Sequence, residues 1–223
     1  DRSCAVVMEP VQGEGGVTPA TVEFAQGVRK LCSAHHALLI YDEVQTGNGR
    51  SGTFFAHEQY GLVPDVLTTA KGLGGGFPVA AMLTTDALAA SLGFGTHGST
   101  YGGNPLATAV ALAAVDLIAH PETLANVQAR GRQLREGLLE IGQRHGIFEG
   151  VRGMGLLLGA PMSAAWKGRA RDVVTVALRH GVWTLVAGPD VLRLAPSLLI
   201  TNDEIDEGLR KLDAACAELV AAG

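Results

Sequence analysis

The sequence has few cysteines, no long apolar run and no excess of basic residues, and each of these shortages excludes a class of protein. The three cysteines, Cys4, Cys32 and Cys216, are odd in number and far apart, which argues against a disulfide framework and for a reducing compartment. The most apolar stretch, Ala107–Ala119, is too short to cross a membrane and is typical of a buried helix. A net charge of −5 gives no basic footprint for nucleic acid. We therefore expect a cytoplasmic enzyme or binding protein with no membrane or nucleic-acid partner.

Apolar residues, by contrast, are abundant. They make up 47% of the 223 residues, against 17% charged residues, so the chain can bury a core and is not of disordered composition. The apolar periodicity predicts a helix over residues 19–34, with Thr18 as its cap and Pro19 in its first turn. Short apolar runs predict buried strands over residues 4–9, 37–42 and 65–70. A strand, a helix and a strand at this spacing predict a βαβ unit and a parallel sheet covered on both faces.

The pattern changes in the second half of the chain. Helical periodicity covers residues 104–118 and 122–144, with His120 and Pro121 between them. Beyond Gly146, the sequence predicts short strands at 151–158, 182–186 and 191–194 and helices at 170–180 and 204–219. We predict two domains, residues 1–121 and a smaller α+β domain of residues 122–223.

Charged residues lie at the predicted ends of the strands, where parallel sheets bind their ligands. Glu9, Asp42 and Lys71 occupy such positions. Lys71 precedes the glycine-rich run 72–76, which allows backbone and a flat ligand to come close. A buried lysine has a lowered pKa and becomes a nucleophilic amine, as a Schiff base requires. The alternative is a lysine whose ammonium group reaches solvent.

The pair Asp42–Glu43 has several possible roles. It is compatible with a metal site, a nucleotide-binding acidic motif, a helix cap or an ion pair. The sequence has no phosphate loop of the form G-x-x-x-x-G-K-[ST]. His35 and His36 are adjacent rather than one helical turn apart, and we expect them near the surface at a helix end. We predict no metal site. A carboxylate such as Asp42 can instead keep the pyridine nitrogen of pyridoxal 5'-phosphate (PLP) protonated.

A third segment, residues 98–105 (GSTYGGNP), combines two hydroxyls with a glycine turn before a predicted helix. Backbone N–H groups and the helix dipole favour an anion at such a place. The segment is therefore a candidate phosphate anchor, although turns of this kind are common.

Taken together, four ordered segments resemble the class III (ω-) aminotransferases. They are residues 9–16 (EPVQGEGG), 42–47 (DEVQTG), 69–78 (TAKGLGGGFP) and 97–105 (HGSTYGGNP). Lys71 follows Asp42 by 29 residues, as in that family, and residues 191–200 resemble the family's carboxylate-binding strand. The resemblance implies an α/β fold, PLP-dependent transferase fold type I. It would have a mostly parallel sheet in a large PLP-binding domain and a smaller C-terminal α+β domain, with the N-terminal part of the family fold absent from this sequence.

The resemblance also implies PLP as the cofactor and a role for each residue around it. Lys71 would hold the cofactor as a Schiff base and then act as the catalytic base. Asp42 would pair with the pyridinium nitrogen. Val44 would pack on the ring face, and Gln45 would form a hydrogen bond near the phenolic oxygen.

Other residues are assigned to the phosphate and the substrate on the same basis. Ser99 and Thr100 would bind the phosphate of the partner subunit's cofactor, which implies a homodimer with shared active sites. Arg193 would bind a substrate carboxylate through a bidentate pair, and Glu14 would neutralise Arg193 while the amino donor is bound. A surface ion pair is the alternative for Arg193.

Within the family, the segments are most similar to the acetylornithine/succinylornithine branch. The expected reaction moves the δ-amino group of N2-acetyl-L-ornithine to 2-oxoglutarate, giving glutamate, in arginine biosynthesis. Succinylornithine, ornithine and 4-aminobutyrate are alternative donors. Alternatives of other kinds are a non-catalytic binding protein of the same fold and a PLP aminomutase or decarboxylase. One residue departs from the family pattern, since Asn48 stands where Met or another apolar residue is expected.

Overall fold

The computed structural model describes residues 3–222, and the chain divides into two compact units. Unit 1 comprises the segment up to Pro10, Ala20–Gly49 and Thr53–Pro121. Unit 2 comprises Val11–Pro19, Arg50–Gly52 and the chain from Glu122 onward. Each unit is therefore discontinuous in sequence. The assignment of residues 1–121 and 122–223 to two functional domains stays a prediction.

Residues 3–222 form ten strands and six α-helices, together with short 3-10 helices. The strands are β1 (Ala5–Met8), β2 (Val11–Gln12), β3 (Thr18–Pro19), β4 (Leu38–Asp42), β5 (Val66–Thr69), β6 (Ala81–Thr84), β7 (Arg152–Met154), β8 (Leu157–Pro161), β9 (Leu185–Val186) and β10 (Val191–Leu194). The helices are α1 (Val22–Ala34), α2 (Asp86–Ala89), α3 (Pro105–Ile118), α4 (Pro121–His145), α5 (Ala170–Arg179) and α6 (Asn202–Ala221).

Unit 1 contains a four-stranded sheet in the order β1-β4-β5-β6. The β1–β4 and β4–β5 pairs are parallel, and β6 runs antiparallel to β5. The three predicted strands and the parallel βαβ unit are confirmed, whereas β6 was not predicted. Cys32, Leu39 and Tyr41 form a buried cluster in this unit.

The predicted start of the first helix is wrong. Thr18 and Pro19 form β3, which pairs antiparallel with β2 and is therefore extended. The cap is Thr21, whose side chain accepts a hydrogen bond from the Phe24 N–H at 3.1 Å. Thr21 thus supplies the cap three residues later, because pairing with β2 keeps Thr18 in a strand.

Two segments predicted to be buried are exposed in the described chain. Val7 of β1 is 66% exposed, and Leu112 and Leu117 of α3 are 65% and 72% exposed. The predictions of burial are wrong here because apolar composition shows that a segment favours burial but not what covers it. No single helix in residues 3–222 is long and apolar enough to cross a membrane, and α3 with α4 passes that test only as a broken pair.

Unit 2 contains a four-stranded antiparallel sheet in the order β7-β8-β10-β9. Helices α4, α5 and α6 contribute buried side chains to its core. The strand predicted at residues 151–158 is two strands, because Gly155 turns the chain with a φ of 53°. A Cβ at Gly155 would lie 2.5 Å from the carbonyl carbon of Ser51, so only glycine fits. The predicted strand at 182–186 shortens to β9.

The segments Val11–Pro19 and Arg50–Gly52 belong to unit 2 because of specific contacts. Val11 and Val17 are fully buried in a cluster that includes residues of β8 and β10. Arg50 donates from Nη1 to the carbonyl oxygens of Leu156 at 3.1 Å and Pro196 at 2.6 Å. Burial lowers the pKa of Arg50 to about 10, which leaves the guanidinium charged at neutral pH. Its carbonyl bonds therefore satisfy a buried charge.

Two buried phenols stabilise unit 1 in a pH-dependent way. Tyr41 is 0% and Tyr60 3% exposed, and the Tyr60 hydroxyl donates to the Pro10 carbonyl at 2.9 Å. Burial, the largest cause, and the nearby Glu43 carboxylate together raise the pKa of each phenol to about 12. The folded state therefore favours the neutral phenols. Their stabilisation is complete below about pH 10 and is lost as the pH rises towards 12.

We expect the free energy of unfolding to fall between about pH 10 and 12, by roughly 2 to 3 kcal/mol for each phenol. Urea unfolding across this pH range measures it. Tyr60→Phe should flatten the decline, leaving the slope due to Tyr41 and to Cys216, whose pKa burial also raises to about 12. Tyr101→Phe is the control, since Tyr101 is 82% exposed. An identical slope in the Tyr60 variant and the parent would contradict this account.

Candidate functional site

The carboxyl ends of β4 and β5 bring two predicted site residues to one edge of the unit 1 sheet. Asp42 ends β4 and pairs in register with Thr68 of β5. Lys71 follows Thr68 by three residues, a stretch that spans at most about 10 Å. Asp42 is half-buried and Lys71 is exposed. Of the two alternatives for Lys71, the described chain thus shows the exposed one.

The backbone turns sharply at Lys71. Its φ is 44°, in the left-handed region that non-glycine residues rarely adopt. Lys71 begins a short 3-10 turn, Lys71–Gly74, and Gly75 and Gly76 follow with φ values of 55° and 113°. The lysine is therefore held in a tight turn rather than on a continuation of β5.

Asp42 is oriented by the loop that follows it. Its Oδ1 accepts a hydrogen bond from the Val44 N–H at 3.0 Å. Val44 and Gln45 are half-buried in the turn directly after β4. The same sheet edge therefore carries Asp42 and the two residues expected beside the cofactor ring.

Glu43, the neighbour of Asp42, is turned into the protein and is 0% exposed. Its carboxylate accepts from the Ala56 N–H at 2.6 Å, the His57 N–H at 2.8 Å and the Thr46 hydroxyl at 3.0 Å, and His57 Nδ1 lies 3.1 Å away. It therefore binds the backbone at the start of the 3-10 helix Ala56–Tyr60. The cap interpretation is confirmed for Glu43. In residues 3–222, no group of three or more His, Cys, Asp or Glu side chains could hold a metal ion.

Ser99 and Thr100 lie in an exposed segment of unit 1 that leads into α3. Asn104 caps this helix, accepting at Oδ1 from the Ala107 N–H at 2.9 Å. Its Nδ2 donates to the Tyr101 carbonyl at 2.8 Å. The predicted glycine turn before a helix is confirmed, and the two hydroxyls precede the helix by a few residues.

In unit 2, Glu14 and Arg193 form an ion pair. Arg193 Nη1 lies 2.5 Å from Glu14 Oε1 and also donates to the Gly13 carbonyl at 3.4 Å. The Arg193 side chain is 11% exposed and the Glu14 side chain 71%. Glu14 is therefore the partner that solvent reaches, whereas the Arg193 guanidinium is mostly buried. The buried Nε of Arg193 has no hydrogen-bond partner among the described residues.

The family profile of the class-III aminotransferases matches residues 1–216. The chain belongs to this family. It is 58% identical to an acetylornithine aminotransferase of Vibrio vulnificus, over 99% of this chain and 55% of that protein. It is 56% identical to a succinylornithine transaminase/acetylornithine aminotransferase of Pseudomonas aeruginosa, over 99% of this chain and 54% of that protein.

Solved structures of this family have the same fold. The crystal structure of N-acetylornithine aminotransferase from Stenotrophomonas maltophilia superposes with a TM-score of 0.92 at 49% identity, covering 99% of this chain and 58% of that one. The predicted α/β fold of the PLP-dependent transferases is confirmed. The chain spans about half the length of the curated relatives it matches.

The hydrogen-bond partners of two residues near the site were not predicted from the sequence. Glu43 forms its backbone hydrogen bonds 13 and 14 residues further along the chain, which no local pattern indicates. Asn48 was visible only as a departure from the family pattern, yet it is 3% exposed and bonded to the end of β5. Both contacts are long-range, so they become visible only in the fold.

Glu43→Gln should destabilise unit 1 by about 2 to 3 kcal/mol, because an amide replaces a charged acceptor and turns a donor towards backbone N–H groups. Denaturant unfolding measures the loss. Glu23→Gln is the matched control, since Glu23 is exposed on α1 and its loss should change stability by less than about 0.5 kcal/mol. Equal stability of the Glu43 variant and the parent would show that the buried carboxylate does not support the loop.

Proposed function

We propose that the protein carrying this sequence is a PLP-dependent aminotransferase. Its reaction moves the δ-amino group of N2-acetyl-L-ornithine to 2-oxoglutarate. The observation that carries the proposal is the placement of Asp42 and Lys71 at the ends of two neighbouring parallel strands. The names of the Vibrio and Stenotrophomonas relatives support the choice of substrate.

The side chains of the candidate site have the functional groups that PLP binding requires. Lys71 provides an amine for the aldehyde group, and Asp42 provides a carboxylate for the pyridinium nitrogen. Ser99 and Thr100 provide hydroxyls for a phosphate. When bound, the cofactor supplies an electron sink for the carbon that loses its proton. Asp42, held by the Val44 N–H, would keep the ring nitrogen protonated.

Lys71 would have two tasks at different times. Its Nζ amine would hold the cofactor covalently in the resting protein. When the substrate is bound, the same amine would accept a proton from the substrate carbon and act as the catalytic base. Its exposure and its left-handed turn leave the amine accessible for both tasks.

Arg193 and Glu14 would select substrates by charge. A guanidinium binds a carboxylate through two parallel hydrogen bonds. While the amino donor is bound, Glu14 neutralises Arg193 through the contact at 2.5 Å. The dicarboxylate 2-oxoglutarate would displace Glu14, whose side chain already lies mostly in solvent. One site would thus accept substrates of different charge in turn.

We also propose a homodimer in which Ser99 and Thr100 bind the phosphate of the partner subunit's cofactor. The surrounding surface supports this, because Phe94 is fully exposed and Tyr101 is 82% exposed. Large exposed aromatic residues are enriched at protein interfaces. A cytoplasmic location is proposed as well, since Cys4, Cys32 and Cys216 are all free thiols.

In this proposal, the acyl group of the amino donor is acetyl or succinyl. The Pseudomonas aeruginosa relative carries both activities in its name. Ornithine and 4-aminobutyrate are less favoured, because the sequence segments are most similar to the acylornithine branch.

Borohydride reduction of the PLP-loaded protein should attach the cofactor irreversibly to the peptide that contains Lys71, as detected by mass spectrometry. Lys71→Arg should abolish this adduct and lower the transamination rate roughly 10³-fold. Lys30→Arg, an exposed lysine on α1, is the matched control and should behave like the parent. An adduct on another lysine, or one that persists in Lys71→Arg, would overturn the assignment.

Glutamate should form from 2-oxoglutarate faster with acetylornithine or succinylornithine than with ornithine or 4-aminobutyrate. Arg193→Lys should raise the KM for 2-oxoglutarate about tenfold or more, because an ammonium cannot form the bidentate pair. Arg171→Lys, at an exposed position of α5, is the control. A faster reaction with 4-aminobutyrate, or no glutamate at all, would contradict the proposed substrate.

A further inference from the structure

Asn48 links the loop after β4 to the turn that carries Lys71. It is 3% exposed. Its Nδ2 donates to the Thr69 hydroxyl at 2.8 Å and to the Ala70 carbonyl at 3.1 Å. These acceptors belong to the two residues immediately before Lys71. The amide orientation is fixed, because a carbonyl oxygen can only accept a hydrogen bond.

The bond to Ala70 bears directly on the geometry of the lysine. The Ala70 carbonyl and the Lys71 nitrogen and Cα belong to one planar peptide unit. The same carbonyl accepts from the Leu73 N–H at 2.9 Å. Two donors therefore fix the plane of this peptide. With that plane fixed and φ of Lys71 at 44°, the direction of the lysine Cα–Cβ bond is set.

The backbone conformation and the surroundings of position 48 favour asparagine over the apolar residue that the family pattern predicts. Its φ is 53°, in the left-handed region where asparagine is enriched and unbranched apolar residues are disfavoured. The space beside it is tight, because a Cβ added to Gly72 would lie 3.0 Å from the Asn48 Cβ. Methionine here would be strained and would lose both amide bonds. The Asn48 Oδ1 is buried with no hydrogen-bond partner among the described residues, so the Nδ2 bonds alone orient the side chain.

We propose that Asn48 is a positioning residue for Lys71. Its side-chain amide joins the loop after Asp42 to the peptide before Lys71, and so sets the direction in which the catalytic amine leaves the sheet edge. This inference rests on the proposed function. The hydrogen bonds of Asn48 link the loop after β4 to the end of β5, in addition to the backbone pairing of the two strands.

The test compares variants that remove the amide with a matched variant elsewhere. Asn48→Gly tolerates the left-handed backbone but removes both hydrogen bonds, and Asn48→Asp keeps the shape but loses the donor. Asn126 of unit 2 donates from Nδ2 to two carbonyls, those of Leu198 at 2.9 Å and Ile200 at 3.1 Å. Asn126→Asp therefore removes a similar pair of bonds without changing a residue that contacts the Lys71 turn.

In both Asn48 variants, we expect kcat to fall about ten- to a hundredfold with little change in KM, because the amine is misplaced. The pH midpoint of the visible absorbance of the PLP-loaded protein should also shift. In the cofactor-free protein, hydrogen exchange of the peptide covering Lys71–Gly74 should become about fivefold faster. Asn126→Asp should lower the melting temperature but leave the pH midpoint and the local hydrogen exchange as in the parent.

Unchanged kcat, pH midpoint and local exchange in both Asn48 variants would overturn the positioning role, as would equal changes of the pH midpoint and of the local exchange in Asn126→Asp. Failure of the proposed function looks different, because the parent itself would then form no borohydride adduct at Lys71. In that case, hydrogen exchange in the cofactor-free protein still decides whether Asn48 holds the turn, and an unchanged rate overturns it.

Discussion

The structure depends most on the parallel pairing of β4 with β5. The register joins Ile40 to Val66 and Asp42 to Thr68, and the buried residues Leu39 and Tyr41 alternate with them along β4. A slip of one residue would exchange the two faces of the strand and turn Asp42 into the core. Burial of alternate apolar side chains therefore fixes where the carboxylate emerges. The amine arrives at the same edge because β5 ends two residues before Lys71. Packing of the sheet and chemistry at its edge are thus consequences of one register.

The carboxylates of Glu43 and Glu14 differ in burial, and this decides whether each can change its hydrogen-bond partner. Glu43 is fully buried and satisfied by backbone and hydroxyl donors, so breaking its contacts would leave an uncompensated buried charge. Glu14 has its side chain mostly in solvent and pairs with Arg193, so water can solvate its carboxylate when the pair opens. This difference in burial suits the proposed roles, in which the loop beside Asp42 keeps its shape and Arg193 binds substrate carboxylates in place of Glu14.

Local patterns were sufficient for the strands and helices around the site and insufficient where distant segments decide. The apolar runs of β4 and β5 have the length and flanking residues of buried strands, and they were predicted correctly. Thr18 has the chemistry of a helix cap but pairs with Gln12 instead, because a neighbouring strand competes for its backbone. The α3 pattern predicted burial, although its leucines are exposed in the described chain. Glu43 and Asn48 contact residues 13 to 22 positions later, so their roles depend on the fold. The site residues named from the family resemblance needed knowledge of related proteins as well as of this sequence.

A crystal structure of the protein with PLP bound tests the central claim most directly. The account predicts continuous density between Lys71 Nζ and the cofactor, with an Asp42 carboxylate oxygen about 2.6 to 3.2 Å from the pyridine nitrogen. A cofactor bound away from the carboxyl ends of β4 and β5, or an Asp42 side chain directed away from the ring, would contradict it.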